Sequence, residues 1–245
     1  MTFLTPTGAS SEPLTHWAVA VRSLPLGFLW IVLTGVLIGI GELVGHSAGI
    51  AHFDYHITSR IVAHRTPALD TAMKVITWLG SWVTVAVTGG IILTLVLIGR
   101  LPLVVLVLAA VAWVGEVAFV NIVKNVVDRQ RPPQILRLVN AHGGSFPSGH
   151  AANATLVFTT LTFVSFLLIR HQAVRTATCL LAFLGVIAVA FSRVELGVHW
   201  ATDVTASVIV VSGWLAAIAF LFHSRFTTST SDVSAVEGSV DRSDP

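Results

Sequence analysis

Six apolar runs, each long enough to cross a roughly 30 Å hydrocarbon core, lie near 27–45, 75–99, 101–123, 151–169, 176–194 and 200–222. Each predicts a transmembrane helix, so the expected fold is an all-α, polytopic membrane domain over residues 25–225. Residues 1–24 read as a polar leader, with a short interfacial helix expected around His16 to Arg22. Residues 226–245 (FTTSTSDVSAVEGSVDRSDP) are rich in Ser, Thr and Asp and predict a disordered tail. The joining segment 46–74 sets Ile57, Ile61 and Val62 against Ser59, Arg60 and His64, which predicts a short amphipathic helix at the interface. The runs show no internal repeat of the kind inverted-repeat transporters carry.

Composition sharpens this picture. Only 11% of residues are charged and 54% are hydrophobic, with a mean hydropathy of +0.84. A soluble domain would carry about a quarter charged residues, so lipid must be the solvent for most of this surface. The net charge of +2 comes with no basic run, which argues against nucleic acid as a partner. Cys179 is the only cysteine, so no intramolecular disulfide is possible. The start of the chain lacks a basic region and a small-residue cleavage site, so the first helix is expected to act as an uncleaved insertion signal.

Six spans place both termini on one side, together with Arg22, Arg100, Arg170, Arg175 and Arg225. Eight of the fourteen Lys and Arg residues fall on the other side, but Lys124, Arg131 and Arg193 there belong to a candidate site. Setting site charges aside, the short loops on the termini side are basic, as cytoplasmic loops usually are. The termini are therefore expected in the cytoplasm of a cell-membrane protein. Three polar fragments then share the extracytoplasmic interface: 124–132 (KNVVDRQRP), 147–150 (PSGH) and 192–203 (SRVELGVHWATD).

These fragments carry the candidate chemistry. His199 and Asp203 are four residues apart at the start of the last run, hence on one helical face. A carboxylate there can fix the imidazole tautomer and leave the other nitrogen as a positioned nucleophile. In 147–150, Ser148 reads as a helix N-cap, and Gly149 lets the backbone approach a phosphate at that helix N-terminus. His150, in the first turn, can protonate a leaving oxygen. Lys124 and Arg131 fall on one stripe if their helix continues to Pro132, with Asp128 on the same stripe as a possible pair. Arg193 lies at the exit of the fifth run. Three cations around one anion suit phosphoryl transfer. Singly, each fragment also fits a structural role: an interfacial histidine with an acid partner, a capped turn, or a cation snorkelling to lipid phosphate. Glu116 and Glu42 lie within apolar runs, where an ionisable group is a functional candidate. Glu195, inside the third fragment, is a candidate for headgroup contact.

K-x6-R-P, P-S-G-H and S-R-x5-H-x3-D together resemble the signature of the type 2 phosphatidic acid phosphatase (PAP2) superfamily, and the chain matches every fixed position. The stretch 63–80 (AHRTPALDTAMKVITWLG) also looks like the family's usual approach to its second helix. The resemblance implies a metal-independent phosphatase without cofactor. In it His199 attacks phosphorus, Asp203 orients His199, and His150 protonates the leaving group and later helps activate water. Lys124, Arg131 and Arg193 would hold the phosphate, helped by Ser148 and the Gly149 backbone. Spacing alone favours His199 over His150 as the attacking group, because it has the carboxylate partner. Few acids remain to offer hard oxygen ligands to a metal.

An interfacial site walled by helices suits a membrane lipid phosphate whose tail stays in the bilayer. Phosphatidic acid, phosphatidylglycerophosphate and undecaprenyl diphosphate are the expected class. The alternatives are phosphotransfer to another acceptor, a soluble phosphate ester as substrate, and a non-catalytic lipid-phosphate binding or transport protein. The last would show a broken motif. The sequence does not determine the oligomeric state.

Overall fold

The apolar runs fold as helices whose outward faces stay greasy. Among the described residues the chain forms α1 (His16–His46), α2 (Ala48–Ala63), α3 (Pro67–Ile76), α4 (Trp82–Leu97), α5 (Leu103–Val127), α6 (Gly149–Leu168), α7 (Gln172–Glu195) and α8 (Ala201–Val240). The computed structural model describes the backbone of residues 16–240 and the side chains of 26–220, without a strand among them. Five segments are long and apolar enough to cross a membrane: Leu26–His46, Leu103–Val127, Gly149–Leu168, Gln172–Glu195 and Ala201–Phe220. A sixth is counted if α3, its 3-10 turn and α4 form one span bent by 46°.

That bend departs from the straight helix expected over 75–99. The chain runs through α3, a 3-10 turn at Thr77–Gly80, and an extended Ser81 (φ −77°, ψ 161°) before α4 begins. The cause is tertiary. A Cβ on Gly80 would overlap the His150 carbonyl, and the Gly80 carbonyl accepts from Asn153 Nδ2 at 3.0 Å. Hydropathy is continuous across this break and carries no trace of it.

The 46–74 connector forms two helices rather than one. Ser47 and Thr66 cap α2 and α3, accepting from Ile50 N (3.4 Å) and Leu69 N (3.2 Å). α2 packs against α1, α7 and α8, and it buries Asp54 and Thr58. The interfacial helix expected around His16 to Arg22 is continuous with α1, while residues 1–15 of the leader lie outside the described residues. At the other end the backbone of α8 is helical to Val240, through most of the stretch that composition reads as a tail.

Large apolar side chains such as Phe28, Trp82, Leu97, Leu181 and Phe220 point outward and are exposed. Inside, Leu37, Phe119, Val123, Phe146, Val211 and Trp214 form the main core. In lipid, helices associate by close packing and interhelical hydrogen bonds rather than by apolar burial alone. Both devices are present. A Cβ on Gly185 of α7 would come 2.5 Å from the Phe158 ring of α6. Trp30 and Trp214 donate to the carbonyls of Gly115 (2.9 Å) and Ala112 (3.1 Å), tying α1 and α8 to α5. The antiparallel order brings the end of α5, the start of α6, the end of α7 and the start of α8 to one end of the bundle.

Candidate active site

All three fragments meet at that end, each through a local device. α5 stops at Val127 because Asp128 takes a left-handed conformation (φ 40°, ψ 41°) and caps it, its N–H bonding Lys124 O at 3.1 Å. The helix therefore does not reach Pro132, and Lys124 and Arg131 share no helical stripe. They converge instead on the loop 142–144. Lys124 Nζ donates to Gly144 O at 2.9 Å. Arg131 donates from Nε to Gly143 O (2.9 Å), from Nη2 to His142 O (3.0 Å) and Gly144 O (3.1 Å), and from Nη1 to Val198 O (2.7 Å). Asp128 forms no ion pair among the described residues.

Ser148 caps α6 as its sequence predicts, with Oγ accepting from Ala151 N at 3.5 Å, and α6 begins at Gly149. Its own N–H donates to Ser207 Oγ at 2.8 Å, and that hydroxyl donates to Asp203 O at 2.7 Å, locking α6 to α8. Gly149 is half-buried, and a Cβ there would meet only Val120, so the start of α6 is uncrowded. His150, in the first turn of α6, is half-buried. Arg193, in the last turn of α7, donates to Thr77 Oγ1 at 2.7 Å, and its buried Nε has no partner. The break in the second span thus touches two of the candidate residues: Thr77 accepts from Arg193, and Gly80 admits the His150 backbone.

His199 lies just before α8 rather than within it. The turn from α7 passes through Gly197 at φ +68°, where a side chain would be strained and would overlap Leu136. His199 Nδ1 lies 3.4 Å from Asp203 Oδ2, an ion-pair distance longer than an ideal hydrogen bond. Nε2 lies 3.2 Å from Arg131 Nη1. A guanidinium can only donate, so this contact is a hydrogen bond only when Nε2 holds the lone pair and Nδ1 the proton. Burial pulls the His199 pKa from 6.5 down to about 3, against the pull of Asp203 and with the Arg193 and Arg131 cations adding to the fall. The neutral ring therefore persists at ordinary pH. Burial also lowers the pKa of Arg131, with Asp203 opposing.

Sequence reading missed two residues that the structure places behind this pair. Arg129 donates to Asp203 Oδ1 (2.5 Å), Asp54 Oδ2 (2.7 Å) and Thr202 Oγ1 (2.9 Å), with Asp54 coming from α2. Asp54 falls on one helical stripe with Ile50, Ile57 and Ile61, and an acid on a largely apolar stripe is the one local signal that could have flagged it. Glu195, the candidate for headgroup contact, is fully buried, 3.4 Å from Arg65 Nε. Arg65 also donates to the carbonyls of Glu195 and of Leu136, pinning the turn before His199. Glu116 is buried within α5, and its Oε2 has no partner. Among the described residues no three His, Cys, Asp or Glu side chains cluster to hold a metal ion.

A polar cavity of about 490 Å³, lined by Gln134, Arg137, Asn140 and His142 among others, opens beside Arg131. An apolar cavity of about 330 Å³ lies between α4, α5 and α6, lined by residues such as Val85, Trp113 and Leu156.

Fold and site together define a helical membrane protein that gathers cations, two histidines and buried carboxylates at a single end of its bundle. The sequence pattern of the PAP2 superfamily matches residues 101–228, just over half of the chain, and the protein belongs to that superfamily. The resemblance read from the three motifs is therefore borne out. The chain is 29% identical to phosphatidylglycerophosphatase B of Bacillus subtilis (strain 168) over 177 residues, covering 65% of this chain and 78% of that protein. Its fold is similar to the crystal structure of a transmembrane PAP2 type phosphatidylglycerolphosphate phosphatase from Bacillus subtilis, with a TM-score of 0.61 and 22% identity, covering 84% and 96% of the two chains. It is also similar to LpxE of Aquifex aeolicus, with a TM-score of 0.53 and 20% identity over 74% and 98%.

Proposed function

We propose that the protein is a metal-independent membrane phosphatase that hydrolyses lipid phosphate monoesters or diphosphates through a phosphohistidine. The observation that carries this reading is the setting of His199: Nδ1 faces Asp203 at 3.4 Å while Nε2 faces the Arg131 guanidinium at 3.2 Å. The Nε2 lone pair thus meets a guanidinium that would also hold the phosphate, and a bound phosphate that draws Arg131 to its own oxygens would release that lone pair for attack. In the first step Nε2 bonds to phosphorus, the phosphorus–oxygen bond of the leaving group breaks, and His150 gives that oxygen a proton. In the second step water attacks the phosphohistidine, His150 takes its proton, and inorganic phosphate leaves. Lys124, Arg131 and Arg193 balance charge on the equatorial oxygens. The Gly149 N–H, at the start of α6, adds the positive end of a helix, with Ser148 shaping that turn.

A lipid substrate is supported by the cationic end of a bundle whose outward faces are apolar: a phosphate headgroup fits the former, and a lipid tail can stay in the bilayer against the latter. The name of the Bacillus subtilis relative favours phosphatidylglycerophosphate, with phosphatidic acid and undecaprenyl diphosphate in the same chemical class. In the cell membrane the proposed arrangement has six spans, the broken one included, with cytoplasmic termini and the site at the extracytoplasmic interface. Phosphate release by purified protein in detergent with EDTA, across these three lipids, tests the reading. Release that resists EDTA and vanishes in His199→Ala is expected. Release that persists in a folded His199→Ala protein would remove the phosphohistidine, and release abolished by EDTA would remove metal independence.

A further inference from the structure

Asp54 and Arg129 belong to no fixed motif position, and the two steps above do not touch them. Yet with Asp203 they form a chain of buried charges, 0%, 8% and 0% exposed in that order. Arg129 is forked between the two carboxylates, reaching Asp203 Oδ1 at 2.5 Å and Asp54 Oδ2 at 2.7 Å. The Trp200 ring, 5.8 Å from the guanidinium carbon, lies alongside it. Asp54 also reaches the start of α8, accepting from Thr202 N (3.0 Å) and Thr202 Oγ1 (2.5 Å). The other oxygen of Asp203 accepts from Trp200 N at 2.9 Å and faces His199 Nδ1.

We propose that Asp54 and Arg129 are positioning residues for the His199–Asp203 pair, Arg129 aiming Asp203 and Asp54 preserving its charge. The inference rests on the reading of His199 as nucleophile. Arg129 holds Asp203 by one oxygen, which leaves the other for the imidazole. On its own this would form a neutral pair and weaken the pull of Asp203 on the ring. Asp54 supplies a second carboxylate, so three buried groups carry one net negative charge beside His199. That charge matters when Nε2 bonds to phosphorus: Nδ1 keeps its proton, the ring becomes cationic, and the electron pair of the broken bond leaves with the oxygen that His150 protonates. A fixed negative cluster in a water-poor site stabilises the cationic ring more than solvent would.

A plainer role exists for Asp54, namely capping α8 from a neighbouring helix. Asp54→Asn separates the two, because an amide oxygen can still accept from Thr202 N while the charge is gone. Full-length wild type, His199→Ala, Asp54→Asn, Arg129→Gln and the Asp54→Asn/Arg129→Gln double variant would be assayed on phosphatidylglycerophosphate in detergent, with thermal unfolding as the check on folding. The expected result is a kcat about 10- to 100-fold lower in Asp54→Asn, the range seen when outer hydrogen-bond partners of metal-bound histidines are removed, with KM within about twofold. The effects of the two single changes should not multiply in the double variant, because both act through one cluster. A folded Asp54→Asn protein with wild-type kcat, a change in KM alone, or multiplying effects would overturn the proposal while the phosphatase reading stands. Activity retained in His199→Ala would overturn both. Arg129→Lys carries the test if Asp54→Asn does not fold: it keeps the charge but loses the fork, and kcat should still fall at least about tenfold. Unchanged kcat in folded Arg129→Lys would equally refute it.

Discussion

Arg131 commits each of its three nitrogens to a carbonyl and still reaches His199, so its guanidinium is both a structural tie and a face of the site. Lysine carries the same charge without the planar fork. Arg131→Lys is expected to lower kcat/KM about 100-fold, the scale of losing one preorganised donor, and a loss below about threefold would show the fork to be dispensable. The depressed pKa of His199, about 3, sets the pH behaviour. The ring stays neutral and able to attack down to acid pH, so kcat/KM should show no acid limb near 6.5 assigned to His199. A limb there that His150→Gln leaves in place would contradict this. For stability the sign follows from protons bound: between 6.5 and about 3 the unfolded chain takes up a proton that the buried ring refuses, so stability falls as pH drops through that window. Thermal unfolding at pH 7 and pH 4.5 measures it. The motif residues were legible because each carries an uncommon polar group at a fixed spacing in a greasy chain. Asp54 and Arg129 were not, because their partnership spans 75 residues and depends on how α2 docks.

The second span shows why elements were only partly legible. Hydropathy reads 75–99 as one run, since averaging over side chains cannot register a backbone break fixed by a carbonyl on another helix. At Gly80 that break brings α3 and its turn against α6 and α7. Gly80→Ala should therefore reduce activity more than it reduces stability, because the crowded atom belongs to His150. Equal effects on both would mean the break serves packing alone. Gly185→Leu is the contrasting case, distant from the histidines and facing Phe158 of the α6–α7 contact. Overpacking there is expected to cost about 1–3 kcal/mol, read as a lower unfolding midpoint with kcat nearly unchanged at low temperature. The end of α5 was left open by the sequence for a different reason. A left-handed Asp128 stops the helix, and the sequence DRQRP offers no glycine to announce it.

At the scale of the whole molecule, the alternation of long apolar runs with short polar loops was enough to read an all-helical membrane domain. It also showed that the three fragments would meet at one end, because parity alone sends those helix ends the same way. The orientation of that end is a separate matter, set by loop charge. A reporter fused after Pro245 is expected to be active as a cytoplasmic marker, and an active extracytoplasmic marker there would reverse the topology. Between the polar end and the opposite loops, Glu116 is the one acidic or basic side chain in the middle of the described spans, buried and unpartnered. A single acid builds no path for a dianion through the bundle. Turnover along the proposed course would therefore be sided. Phosphate would be shed into the compartment that supplied the headgroup, and the shortened lipid would stay in its original leaflet. The enzyme would change the chemistry of one monolayer without carrying anything across, leaving transbilayer traffic of substrate and product to other machinery.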